Sequence, residues 1–191
     1  RDGRIYRTCT VSSQVWMAEN LDYAGPSGNT GACYKDSAHL CAWYGRLYTW
    51  SEAMNGAQPS SAKPSGVRGI CPEGWHLPSM AEWEVLLKVA ELRSSLTSFR
   101  ALSSLSGWEK QAAKGVKNGL DPFGYRALPG GYRHYLEGSF FRLRRMSFYW
   151  TATKYDSSLV WDVQSIDSLA WTRPRGDDPR SGFSIRCVKD K

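Results

Sequence analysis

The sequence has no C-x-x-C pair, no H-E-x-x-H, no G-x-S-x-G and no phosphate-cradling glycine loop. That removes the usual signatures of dithiol, zinc, serine-nucleophile and nucleotide chemistry. Histidine is scarce, and His39, His76 and His134 are not spaced as zinc ligands. No apolar run approaches the roughly 20 residues that a membrane-spanning helix needs. There is no Lys/Arg-rich tail, and acidic residues are interspersed throughout. The formal charge of +7 therefore suits solubility at least as well as attraction to an anionic polymer or surface. With no internal repeat and no linker between patterned segments, residues 1–191 read as one domain.

Aromatic residues, by contrast, are abundant. Nine Trp, ten Tyr and six Phe exceed the needs of a core this size, so either some rings face solvent or a ligand, or a loop-rich fold uses them as spacers. Cysteine usage is also informative: Cys33 and Cys41 bracket a short polar loop, Cys71 precedes the best helical pattern, and Cys187 lies in the last strand. We read two disulfides, Cys33 to Cys41 and Cys71 to Cys187, with Cys9 left as a buried thiol. Loop closure gives them at most about 2.5 and 5 kcal/mol, and they place the chain outside the cytoplasm. The alternative is five unpaired core cysteines in a cytosolic protein.

Local order is clearest after Cys71-Pro72-Glu73-Gly74-Trp75-His76-Leu77-Pro78-Ser79, where two prolines forbid helix before Ser79. Ser79 and Glu82 form an S-x-x-E capping box. Met80, Trp83, Leu86, Leu87 and Ala90 then recur at helical spacing, leaving Glu82, Glu84, Lys88 and Glu91 for water. A second amphipathic stretch runs from Leu92 to Leu105. Earlier, Ile5 to Val11 alternates as a strand, with Ile5, Cys9 and Val11 on one face, and Gln14 to Met17 returns as its hairpin partner. A short helix follows Trp50, and Gln58 to Gly69 reads as surface loop with nothing to bury. From Phe123 to Val188 the pattern is short strands and turns, among them Phe123–Tyr132, Tyr149-Trp150, Leu159–Val163 and Phe183–Val188. Helices followed by antiparallel strands indicate α+β, with the N-terminal hairpin closing onto the C-terminal strand.

Five collinear motifs, Gln14-Val15-Trp16-Met17-Ala18-Glu19-Asn20-Leu21, Tyr44-Gly45-Arg46-Leu47-Tyr48-Thr49-Trp50, Cys71 to Pro78, Ala127-Leu128-Pro129-Gly130-Gly131-Tyr132 and Gly182-Phe183-Ser184-Ile185-Arg186-Cys187-Val188, resemble the Fibrobacter succinogenes major paralogous domain family. The resemblance implies a secreted or surface-anchored bacterial protein. It also implies a C-type-lectin-like fold related to formylglycine-generating enzymes: two main helices packed on short antiparallel strands, loop-rich and disulfide-bonded. It implies little about activity, since such folds host binders and enzymes alike. Relatives that oxidise a cysteine use a reactive cysteine pair with a metal, whereas here only Cys187 lies in the corresponding region.

The region that is ligand-facing in lectin-like folds carries Tyr132, Arg133, Tyr135, Tyr155, Trp171, Arg173 and Arg175. Flat rings can stack on sugars or pack on proteins, and arginine adds planar hydrogen bonding. Neighbouring Gly, Pro or charged residues favour exposure of Tyr132, Tyr135, Tyr155, Trp171 and Arg173, while Trp150 and Trp161 fit the core. Arg142 and Arg144 share one side if extended, an arrangement able to contact an anion, although a solvated edge that discourages strand pairing fits better. Asp156, Asp162, Asp167, Asp177 and Asp178 could offer oxygens to calcium, but turn roles fit them better. No cofactor or metal is expected, with calcium the one alternative.

The expected function is non-catalytic recognition of a polysaccharide or cell-surface protein, as in adhesion. Nucleic acid is not an expected partner. The chain would be peripheral to a membrane, and any anchor would precede Arg1. An enzyme on the formylglycine-generating-enzyme-like fold and a structural surface component are the alternatives. Pro174, Gly176 and Pro179 mark an exposed loop from Arg173 to Pro179. Titration calorimetry should therefore show Trp171→Ala and Arg173→Ala each weakening binding by at least about 1 kcal/mol with thermal stability unchanged. Unfolding of Trp171→Ala would instead make that ring a core residue, and normal binding by both variants would move the recognition surface elsewhere, with the dense aromatic run Trp43 to Trp50 next.

Overall fold

The computed structural model describes residues 3–109, 119–166 and 171–190, and the side chains of residues 171–173 lie outside that description. In chain order the elements are β1 (Thr8–Val11), β2 (Gln14–Met17), α1 (Ala38–Tyr44), α2 (Trp50–Met54), β3 (Trp75–His76), α3 (Met80–Ser94), α4 (Ser98–Leu102), β4 (Tyr132–Arg133), β5 (Phe140–Phe141), β6 (Met146–Lys154), β7 (Val160–Ile166), β8 (Trp171–Asp177) and β9 (Val188–Lys189). The strands form three sheets, ordered β1-β2-β9-β3, β4-β5 and β6-β7-β8, with antiparallel pairing throughout. The fold is thus mixed α and β with mostly antiparallel pairing.

The segment Gly182–Lys189 threads between the parts. Phe183 exchanges backbone hydrogen bonds with Tyr48, Ser184 bridges to β6, and Val188 pairs with both Trp16 of β2 and His76 of β3. The N-terminal hairpin therefore does close onto the C-terminal strand. Cys71–Cys187 ties that strand to the approach to α3, Cys33–Cys41 is also formed, and Cys9 is buried and free.

Two apolar clusters flank this segment. In one, Trp150 stacks on Phe183 at 4.3 Å between ring centroids and donates its indole N–H to the Tyr48 carbonyl at 2.7 Å. In the other, Trp16, Trp83, Tyr125 and Tyr149 meet as tilted and edge-on rings, Trp16 to Trp83 at 4.8 Å. Such geometries suit the ring quadrupole better than face-to-face stacking.

The capping box of α3 is present, but Glu82 is not in water. It is buried because its carboxylate does more than cap. Oε2 accepts from the amides of Ser79 and Ser65, both at 3.0 Å, and Oε1 lies 2.9 Å from His76 Nε2. His76 Nδ1 in turn lies 2.6 Å from Asp190 Oδ1. The Gln58–Gly69 segment is correspondingly less loose than its composition suggests: Ser65 and Val67 are buried where it crosses α3 and β3.

Other local expectations need correction. Leu92–Leu105 is not one helix; α3 ends at Ser95 in a left-handed cap, Thr97 caps α4, and Leu92 and Leu105 are exposed. The Cys33–Cys41 interval is not just polar loop, since Ser37 caps α1 within it. Ile5 lies outside β1 and is exposed. Of Phe123–Tyr132 only Tyr132 enters a strand. Arg142 and Arg144 have positive φ, which precludes an extended edge there. Arg173 to Asp177 belongs to β8, paired along β7; as an edge strand it tolerates Pro174, which a central strand would not.

Burial by itself disfavours the His76 imidazolium, but the hydrogen bonds it donates to Glu82 and Asp190 outweigh that and raise the His76 pKa above 6.5. Burial likewise pushes Glu82 up, and its bonds to His76 and the Ser79 and Ser65 amides outweigh that, lowering it below 4.5. The raised histidine contributes fully below its unfolded pKa, the lowered carboxyl fully above its own. The pair is therefore at full strength between about pH 4.5 and 6.5, and weakens as pH rises through the His76 pKa or falls through that of Glu82. His76→Gln should cost about 3–5 kcal/mol inside that window, as loss of a buried ionic partner does. Urea titrations across pH should show the wild-type midpoint declining above neutrality more steeply than the variant's.

Candidate functional site

A groove of about 1010 Å³ lies on the side of the molecule where α1 meets the N-terminal hairpin. Its walls come from residues 4–7, the end of β2, α1, the 104–107 turn and the loop holding Asp121 and Arg126, with Arg144 at one end. Local chemistry sets the first wall. Ser37 caps α1, Cys33–Cys41 staples it, and Gly45 ends it at φ 74°. A Cβ on residue 45 would lie 2.6 Å from Asn20 Cβ and 2.8 Å from the Leu21 carbonyl oxygen. Glycine alone permits that approach. Asn20 then donates to the Tyr44 carbonyl at 2.7 Å and to Ser184 Oγ at 3.2 Å. With Cys41 held inward, Trp43 turns outward and is 65% exposed.

Both walls rest on Arg186, which is fully buried. Its guanidinium donates to Asn20 Oδ1 at 2.7 Å, to the Met17 carbonyl at 3.1 Å, to the Tyr125 carbonyl and to the Arg126 carbonyl at 2.7 Å. The rings of Tyr125 and Tyr149 lie 4.7 and 5.7 Å from its central carbon. Of the residues Arg186 holds, Asn20 and Arg126 line the groove.

The acids of the groove are engaged by their own chain. Glu19 accepts from Arg7 Nε and Nη2 at 2.8 and 2.6 Å and from the Arg7 amide at 3.1 Å. Burial opposes the charge on Glu19, and the Arg7 bonds outweigh it, holding this carboxyl below its usual range. Asp121 accepts the Arg126 amide on both oxygens at 3.1 Å. Here burial prevails over the neighbouring amides and arginines and raises the pKa to about 6. Arg4 pairs with Asp22. Arg126 and Arg144, however, have no ion-pair partner among the described residues.

The residues singled out from sequence are not gathered into one site. Tyr132 is half-buried, its ring packed on Phe148 at 4.8 Å and Phe141 at 5.6 Å, so it extends the core instead of facing solvent. Tyr135 stacks on His134 at 5.0 Å and lies under the Arg180 guanidinium at 4.4 Å. Arg133 is exposed and borders a smaller, separate concavity with Asp36 and Glu52. Tyr155 is exposed at its rim, packs edge-on against Trp161 at 4.6 Å, and lies so close over Gly176 that a Cβ there would meet its ring at 2.8 Å. Trp161 is half-buried, while Trp150 is core. Arg175 is exposed opposite Asp162 in the β7–β8 register. The Trp171 and Arg173 side chains lie outside the described residues.

Asp156 caps its own turn through the Ser158 and Leu159 amides, and Asp178 is bound to Arg180. Asp162 and Asp177 sit in β7 and β8. Asp167 lies outside the described residues. No group of three His, Cys, Asp or Glu side chains among the described residues could hold a metal ion.

Sequence reading missed Arg126, and held Trp43 and Arg144 only in second place, Trp43 within the Trp43 to Trp50 run and Arg144 as an anion contact on an extended edge. For Trp43 a stronger signal existed: a helix capped at Ser37 that buries Cys41 must turn residue 43 away. That Arg126 and Arg144 share one groove has no local signal, because distant chain segments bring them together.

A disulfide-bonded, mixed α/β protein with an open basic groove is thereby defined, and its family can be stated. Residues 10–189 match the Fibrobacter succinogenes major domain family, and the chain belongs to that family. No curated protein and no solved structure matches the chain.

Replacing Arg186 with methionine, similar in reach but without donors, should leave four oxygens buried and unpaired. The expected loss is at least about 3 kcal/mol, measured by denaturant titration. Arg186→Lys should recover only part of it, since an ammonium has three donors and no planar fork. Full stability in Arg186→Lys would contradict the role of the fork.

Proposed function

We propose that this protein is an extracellular, non-catalytic recognition module that binds a polysaccharide chain in the groove beside Trp43. One observation carries the reading: a Trp ring standing 65% exposed on the wall of a groove of about 1010 Å³. The flat apolar face of a Trp ring, with few rotatable bonds, is suited to stacking on a sugar ring. An open concavity suits a chain better than a small enclosed ligand. Glu19 and Asp121 are already engaged by Arg7 and the Arg126 amide, which argues for scaffolding over acid–base work. Two disulfides support an oxidising compartment, and no described helix is long and apolar enough to cross a membrane. A C-type-lectin-like arrangement is part of this proposal. It is supported by terminal strands that pair with each other and by the Cys71–Cys187 bridge.

A glycan array with the intact protein should give reproducible polysaccharide hits. Trp43→Ala should weaken them by at least about 1 kcal/mol while leaving the melting temperature unchanged. Hits that survive Trp43→Ala undiminished would move the recognition surface away from this groove, with Tyr155 and Arg175 on the β7–β8 face then the place to test.

A further inference from the structure

We infer that the groove is selective for acidic polysaccharides, chains whose sugars carry carboxylates, and that Arg126 and Arg144 are the residues that read the charge. The inference rests on the groove reading above and adds the class of ligand.

Three observations converge on these two arginines. The first is electrostatic. Arg7 and Arg4 are neutralised by Glu19 and Asp22, whereas Arg126 and Arg144 line the same groove without an ion-pair partner among the described residues. His39 lines it too, and is exposed. Glu19 and Asp121 both feel the Arg126 charge without forming an ion pair with it, yet the lining sets Arg4, Arg7, Arg126 and Arg144 against these two carboxylates, so the groove presents an excess of positive charge to whatever enters it.

The second observation is conformational. Arg126 and Arg144 both adopt left-handed backbone geometry, at φ 57° and 65°. A residue with a long side chain takes up this region rarely and at a cost. Such strain persists only where surrounding structure enforces it, and Lys35 and Arg142, outside the groove, share the geometry.

The third observation is what enforces it. The Arg126 amide is held by Asp121 and its carbonyl by Arg186. The Arg144 amide donates to the Pro129 carbonyl at 2.8 Å, and its carbonyl accepts from the Glu109 amide at 2.6 Å. Each backbone is pinned on both sides, so each guanidinium leaves a fixed base at the groove wall. Less freedom is then lost when it meets a ligand. A planar guanidinium matches a carboxylate with two parallel hydrogen bonds, and the Trp43 ring supplies the apolar face for the sugar itself. A neutral glycan would use the ring and leave both arginines idle. An acidic peptide would use the arginines and have no need of the ring.

Binding of polygalacturonate and of alginate, each compared with its fully methyl-esterified form, separates these cases. Esterification removes the charge and keeps the sugar backbone. We expect wild type to bind at least one of the acidic polymers at least roughly tenfold more tightly than its ester, with affinity falling as salt is raised. Arg126→Gln and Arg144→Gln should each erase most of that difference, and Trp43→Ala should weaken both forms together. Unchanged circular dichroism and melting temperature would show that the variants are folded. Equal affinity for acid and ester, lost in Trp43→Ala, would overturn the charge inference and leave the groove reading standing. Polyglutamate binding as tightly as the uronates would overturn the sugar class. Acid-selective binding unchanged in all three variants would overturn both the inference and the groove. No binding to any of these polymers would overturn the inference, with the array result then bearing on the groove alone.

Discussion

Arg186 is a full positive charge in the interior, and among the described residues no carboxylate is bonded to it. Its hydrogen-bonding capacity is instead met by the Asn20 side chain and by backbone carbonyls of Met17, Tyr125 and Arg126, with the faces of two tyrosine rings nearby. Isolated burial of such a charge is prohibitive. It is tolerable here because a planar donor array meets oxygens arranged around it, so any loosening of those segments would expose the cost. The residue therefore acts as a constraint: it fixes the end of β2 relative to the Tyr125–Arg126 loop. Both segments lead into the lining of the groove, at Asn20 and Arg126.

The same C-terminal segment carries the other long-range ties. Cys187 is bridged to Cys71, Val188 pairs with β2 and β3, and Asp190 reaches His76, which reaches Glu82. Glu82 thereby joins a local task, capping α3, to a global one, linking α3 to the chain end. Around these ties the two aromatic clusters fill the interior. Most of the ring-rich composition is consumed there, and Trp43, Tyr155 and Phe141 are among the few rings left exposed. That economy gives Trp43 its weight, since its ring stays outside although the chain has ample aromatic packing within.

Legibility followed the range of the interaction. The hairpin of β1 and β2, the α3 cap at Ser79, the strands around Tyr149 and Val163 and the pairing of the four bridged cysteines were all readable. Periodicity, capping and turn chemistry act over a few residues, and a long-range bridge leaves its two cysteines visible. Helix α1 was missed although Ser37 announces it, because the Cys33–Cys41 interval was weighed by composition and not by cap. Glu82 was placed in water because a carboxylate at a helix start usually is; nothing near it in the chain announces His76 and Asp190 as partners. Tyr132 was expected to be exposed from its flanking residues, yet its position follows from Phe148, which is distant in sequence.

The sequence by itself determined the elements that local rules govern, the disulfide framework, the family, and the expectation that aromatic and arginine side chains would matter. Only the tertiary structure decided which of them stand together. Arg126 reads in the chain as part of a short strand, Arg144 as one side of an extended edge, and Trp43 as one ring in a dense aromatic run. They line one groove because Asn20, Gly45 and Arg186 fix three separate chain segments against one another. The register of that contact depends on close approach and hydrogen bonding between residues more than a hundred positions apart, and no local pattern encodes such a distance.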